Sequence, residues 1–239
     1  MELITSNISC ITYLFYLFCN PIHKDILMSR ILFTLSLFAL PFISFAQISS
    51  DPAAKILLDK VSLATDAHEA IHIVFEYRLN NKAENVQESA AGELTLKKDQ
   101  YILSFMGIEQ ISDGENVWTI MEDDEEVQIS EIDLDDEGAL TPSNLLKLYE
   151  KGFIYQMGEK VGNLQLIELI PETPDDVDYI KIHLMIDTQL KQIKNLKQFG
   201  KNATESEYVI SNFTSSSIED SAFIFKETDF SDFDILDLR

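Results

Sequence analysis

Residues 71–79 read IHIVFEYRL, and this stretch decides the fold. Ile71, Ile73, Phe75, Tyr77 and Leu79 alternate with His72, Glu76 and Arg78, and only Val74 breaks the polar side. A period of two sends alternate side chains to opposite faces of a sheet, so the stretch is a half-buried β-strand. Just upstream the period is 3.6. Asp51 is a good helix N-cap, Pro52 suits the first helical position, and Ala54, Leu57, Leu58, Val61 and Ala64 form an apolar stripe that runs out near Asp66.

Downstream, alternation recurs. It predicts strands over 94–97, 101–105, 108–112, 117–121, 127–132, 153–157, 164–170, 180–186, 192–199, 206–213 and 223–226. Asp113-Gly114, Asp187-Thr188 and Gly200-Lys201-Asn202 are turn signals between them. A second helix is expected from its cap Thr141, through Pro142, to Gly152, with Leu145, Leu146, Leu148 and Tyr149 on its apolar side. The result is a mainly β (α+β) domain of about ten short antiparallel strands, with one helix before them and one inserted. Two short helices cannot cover so wide an apolar face, because a ten-residue helix is only ~15 Å long. Either the sheet curls and fills itself, or an incomplete antiparallel barrel keeps an apolar pocket beneath its helices.

The chain has 239 residues, 46% hydrophobic and 25% charged, which is a globular composition. Its formal charge is −23, so nucleic acid and anionic membrane surfaces are poor partners. Its two cysteines, Cys10 and Cys19, lie near the N-terminus and cannot staple the rest.

Residues 31–45, ILFTLSLFALPFISF, follow Arg30 and end in Ser44-Phe45-Ala46. A charged residue, a short apolar run and a small-x-small site make a secretory signal peptide over 28–46, too short for a comfortable membrane span of ~20 residues. Cleavage is expected between Ala46 and Gln47; no cysteine follows the site, so no lipid anchor is expected. Translation is expected to begin at Met28, with residues 1–27 an over-extension. The exported part, 47–239, then carries the entire net charge, because Lys24 and Arg30 balance Glu2 and Asp25.

The order and spacing of several segments resemble the LolA family of outer-membrane lipoprotein carrier proteins, in a form similar to Bacteroidetes-type sequences. The segments are the leading helix with IHIVFEYRL, then GELTLKKDQYILSF (92–105), ISDGENVWTI (111–120), EVQISEI (126–132), TPSNLLKLYEKGF (141–153), the stretch from Lys181 to Phe213, and SAFIFK (221–226). The sharpest piece is Ser112-Asp113-Gly114 followed by Val117-Trp118. The resemblance implies a half-open barrel with helices across its mouth and a concave apolar surface for lipoprotein acyl chains. Ile73, Phe75, Tyr77, Leu94, Leu96, Tyr101, Leu103, Phe105, Trp118, Ile120, Leu145, Leu148, Ile182 and Leu184 are expected to line it. Alternation alone leaves Trp118 open between cavity wall and core packing. The implied partners are acylated lipoproteins, an inner-membrane ABC exporter and an outer-membrane acceptor, met by a monomer in the periplasm. The better-studied carriers have an Arg-Pro pair after the second strand. Here Lys97-Lys98-Asp99 stands in that place, and Lys98 is the candidate lid latch, without the planar fork of Arg. A periplasmic lipid-binding or structural protein of the same fold, without transport, is the alternative.

Residues 68–72, HEAIH, match the H-E-x-x-H string of zinc metallopeptidases. That mechanism needs helix throughout, whereas the stripe has ended and the strand has begun; in a strand His68 and His72 would be ~13 Å apart. A loop His and an outward strand His are expected instead, with no metal. Asp133 to Gly138 opens like a calcium loop, but Asn144 replaces the closing Glu and Pro142 intrudes, so a solvated acidic loop is expected. Glu122 to Glu126 is expected to be a hairpin tip. Neither a nucleophile elbow nor a phosphate-cradling loop is present in the sequence, and neither an enzyme nor a cofactor is expected.

Overall fold

A computed structural model describes residues 49–132, 149 and 152–239. The chain enters through helix α1 (Pro52–Asp66), whose start is fixed by Asp51: its carboxylate accepts a hydrogen bond from the Ala53 amide at 2.8 Å. Ala54, Leu58 and Val61 are the buried stripe. Each Leu or Val fully buried in this way contributes ~1.5–3 kcal/mol.

Twelve strands follow: β1 (Ala70–Asn81), β2 (Val86–Lys97), β3 (Gln100–Phe105), β4 (Ile108–Ser112), β5 (Asn116–Met121), β6 (Glu126–Glu131), β7 (Phe153–Val161), β8 (Leu164–Pro171), β9 (Tyr179–Asp187), β10 (Gln192–Gly200), β11 (Thr204–Ser216) and β12 (Asp234–Asp237). They form one sheet in the order β12-β6-β5-β4-β3-β2-β1-β11-β10-β9-β8-β7. Only β12, beside β6, runs parallel to its neighbour. The sheet curves strongly without closing, and α1 lies on its concave apolar side, as the sequence led us to expect. β1 sits mid-sheet, paired along both edges with β2 and β11. Ser211 is an extra residue in β11 opposite the Val74–Phe75 step; its hydroxyl donates to the Val74 carbonyl at 3.0 Å. Such a bulge adds twist and helps a sheet to curl.

Besides extensions at strand ends, as in β7 and β11, the strands depart from expectation in three places. β2 begins at Val86, because Gln87 to Gly92 pair along their backbone with β1 although their composition reads as loop. Residues 223–226 are not a strand: a 3₁₀ turn over Asp220–Phe223 leads into a strap on the convex face. The strap ends in β12, which the sequence did not announce. The expected second helix falls outside the described residues apart from Tyr149, as does the Asp133–Gly138 loop.

Candidate functional site

Cross-strand register assigns each side chain to a face. Ile71, Ile73, Phe75 and Tyr77 of β1 share the concave face with Leu94 and Leu96 of β2, and with Tyr101, Leu103 and Phe105 of β3. On the other side of β11, Leu196 pairs with Leu184, Ile182 with Leu169, and Leu184 with Ile167. Together with Ala54, Leu58 and Val61 of α1 these residues form one continuous apolar cluster.

Two parts of that face differ. Helix α1 packs against β7 and β10. Near it, Ile167, Leu169, Ile182, Leu184 and Ile186 are completely buried. Along β1, β3 and β11 the apolar surface continues through Tyr77, Leu103, Phe105, Tyr208, Ile210 and Phe213, but all six remain half-buried. Four aromatic rings make the middle of this second part. Phe75 and Tyr77 lie 5.6 and 5.5 Å from Phe105, and 5.9 and 5.0 Å from Tyr208. They have room because β2 is small beneath them: Tyr77 pairs with Ala90 and Phe75 with Gly92. A Cβ at Gly92 would come within 2.3 Å of the Phe75 ring, so any other residue there must displace that ring. The Tyr77 hydroxyl donates to Ser206 Oγ at 3.4 Å. Burial raises the Tyr208 phenol, with the nearby Tyr77 adding to the effect, and burial pushes Tyr101 up to about 12. These phenols are neutral at ordinary pH, so the surface is greasy with a few hydroxyls and no charge of its own.

Most of the expected lining residues meet on this face. Ile73, Phe75, Leu94, Leu96, Tyr101, Ile182 and Leu184 are buried in it, and Tyr77, Leu103 and Phe105 are half-buried. Trp118 and Ile120 do not join them. Val117 faces the concave cluster, so its neighbour Trp118 and then Ile120 face the convex side, where Ile120 pairs with Val127. There Trp118 stacks on Phe225 of the strap at 5.7 Å. Both faces of β5 are apolar because both are covered, so alternation alone could not place them. Leu145, Leu148, Ala46 and Gln47 lie outside the described residues. Sequence reasoning missed Tyr208, Ile210 and Phe213, because the bulge at Ser211 shifts the alternation midway along β11.

The latch candidate Lys98 is not the lysine that contacts to the strap tie down. Lys98 is exposed, in the turn between β2 and β3 at φ 57°. Lys97 makes the connections instead. Its ammonium donates to the Ile218 carbonyl at 2.8 Å, and pairs with Asp220 at 2.7 Å and Glu69 at 3.4 Å. These bonds raise the Lys97 pKa and lower that of Asp220. They tie the end of β2 to the link after α1 and to the start of the convex strap.

The H-E-x-x-H string lies in the link after α1 and the start of β1. The His68 ring packs 6.0 Å from Phe213, whereas His72 points outward and shares a hydrogen bond with Thr95 Oγ1 at 3.0 Å. The helical geometry of a zinc peptidase is not there. Among the described residues no group of three or more His, Cys, Asp or Glu is placed to hold a metal, and no helix is long and apolar enough to cross a membrane.

No family model and no curated protein sequence matches the chain. Solved structures do. An uncharacterized conserved protein from Thermus thermophilus superposes with a TM-score of 0.54 at 9% identity, over 77% of this chain and 99% of that one. A LolA superfamily protein from Nitrosomonas europaea gives 0.43 at 12% identity, over 73% and 98%. The lipoprotein LppX from Mycobacterium tuberculosis gives 0.42 at 14%, over 71% and 99%. The Thermus likeness is one of fold. The half-open antiparallel barrel implied by the resemblance to LolA proteins is the architecture this chain has.

Proposed function

We propose that the exported domain, residues 47–239, is a periplasmic carrier that binds lipoprotein acyl chains on its concave face and takes them from the inner to the outer membrane. One observation carries this reading: the apolar surface runs on past the part sealed near α1, through half-buried Tyr77, Leu103, Phe105, Tyr208, Ile210 and Phe213. An acyl chain laid there loses water at ~0.8 kcal/mol per methylene, so binding needs no charged contact. Release needs only a receiver with more apolar surface to offer. The protein is thus read as a binding protein that does no chemistry. The signal-peptide pattern over 28–46 supports export, and the LolA resemblance supports an inner-membrane ABC exporter as donor and an outer-membrane acceptor.

The test is an organic extract of the purified exported protein, analysed by mass spectrometry, with uptake of a fluorescent fatty acid measured alongside. The reading expects co-purifying lipid or saturable uptake; finding neither would contradict it. Depletion in cells then tests transport. Lipoproteins should accumulate at the inner membrane, and normal delivery would leave a lipid-binding protein without a carrier role.

A further inference from the structure

The convex strap is held unevenly. Phe223 is completely buried, and a run of ring contacts follows: Trp118 with Phe225, Phe225 with Phe230 at 5.2 Å, and Phe230 with Phe233 at 5.3 Å. Beyond Phe233 the apolar anchoring ends. Every residue from Asp234 to Arg239 is exposed, including Ile235, Leu236 and Leu238. What holds this last piece is largely backbone. β12 pairs in parallel with β6, and the amides of Asp234 and Leu238 donate to the carbonyls of Glu125 and Ile129, both at 2.8 Å.

The charges at the start of the strand oppose that pairing, although at its end Arg239 donates to Asn116 Oδ1 at 3.1 Å and is attracted by Glu131 and Asp113. Asp234 lies directly opposite Glu126, next to the acidic tip Glu122 to Glu125. Like charges facing each other across two strands destabilise them. Asp237 finds its cation in Arg239 of the same tail, not in β6. The edge of β6 therefore accepts an extended parallel strand, because it holds one, but the strand it holds begins with the wrong charge for its surroundings.

We propose that residues 234–239 are a displaceable placeholder, and that the β6 edge is a docking site for an extended, basic segment of a partner protein, which adds to the sheet in place of β12. Main-chain hydrogen bonds supply the attachment, as in other strand additions, and lysine or arginine at alternate positions would answer Glu126 and the acidic tip. This proposal does not depend on acyl-chain binding, and either can fail alone.

A redox clamp tests it in the full chain. With Cys10 and Cys19 replaced by serine, Val127→Cys and Ile235→Cys place a cysteine pair at directly opposed positions of β6 and β12. A disulfide there locks the placeholder down; reduction frees it. The probe is a short fluorescent peptide of alternating lysine and valine, followed by anisotropy. The reduced protein should bind it about tenfold or more tightly than the oxidised protein. A glutamate–valine peptide should not bind, and proline at the hydrogen-bonding positions of the lysine peptide should abolish binding. Equal binding to both redox forms would overturn the proposal, because the peptide would then sit elsewhere on an acidic surface. Equal binding of the proline-containing peptide, or no binding to the reduced protein, would overturn it too.

Discussion

Leu184 and Phe105 point to the same side of one sheet, yet Leu184 is wholly enclosed and Phe105 is only half-buried. Both stand on alternating strands and both touch the same apolar cluster. The difference lies in what sits above them. Near Leu184 the start of α1 is fastened to β7: the Asp51 amide donates to the Tyr155 carbonyl at 2.7 Å, and Ser50 Oγ accepts from the Tyr155 amide at 3.1 Å. Near Phe105 the neighbours are aromatic rings over Ala90 and Gly92. One part of the concave face is a core that holds the fold, and the other is apolar surface still able to lose water to a ligand.

Leu184→Ala should show the largest loss of stability. Emptying a fully enclosed leucine site costs ~2–5 kcal/mol, read as a lower urea midpoint, while fatty-acid affinity per folded molecule should change little. Gly92→Val comes next. The new side chain must push the Phe75 ring aside, for a cost of ~1–3 kcal/mol, and it should also disturb uptake because the aromatic group moves. Phe105→Ala should cost well under the ~3–5 kcal/mol of a fully buried phenylalanine, yet weaken fatty-acid binding more than Leu184→Ala does. The comparison breaks if Leu184→Ala abolishes uptake and Phe105→Ala leaves it intact.

Tyr101 sharpens the comparison by titration. Burial raises its pKa from 10.0 to about 12, so the neutral phenol is favoured in the folded state. Its contribution to stability is fully present below pH 10 and is lost as pH rises from there through about 12. Tyr101→Phe should flatten the alkaline fall in melting temperature over that window. A fall of unchanged steepness would mean that Tyr101 is already open to water.

The smallest expected effect is at the latch. Lys97→Met should loosen the strap and speed proteolysis after Ile218, whereas Lys98→Ala should do neither. Similar results for both would mean that the Lys97 contacts do not hold the strap.

The concave face was legible in the sequence wherever one face of a strand is wet. β1 could be read directly, because His72, Glu76 and Arg78 mark its outer side. β5 could not, since Val117, Trp118 and Ile120 are all apolar and only the strap explains why. The strap itself was misread: the alternation in Phe223-Ile224-Phe225 is that of a segment laid on a sheet, not paired within it. β2 was read too short because backbone pairing, not side-chain pattern, holds Gln87 to Gly92. The part of Lys97 was not legible because Lys97 and Lys98 are chemically alike. Lys97 reaches the strap because it is the last residue of β2 and alternates with Leu96 onto the convex side, whereas Lys98 is already in the turn.

The chain has a single tryptophan, Trp118, and it lies on the convex face. Quenching by a fatty acid brominated along its chain reads proximity to the bound chain directly. Trp118 should keep its emission when the brominated ligand binds. In a Trp118→Phe, Tyr208→Trp variant, the tryptophan on the concave face should be strongly quenched. Quenching of Trp118, with position 208 unaffected, would place the acyl chain on the wrong side of the sheet and contradict the account.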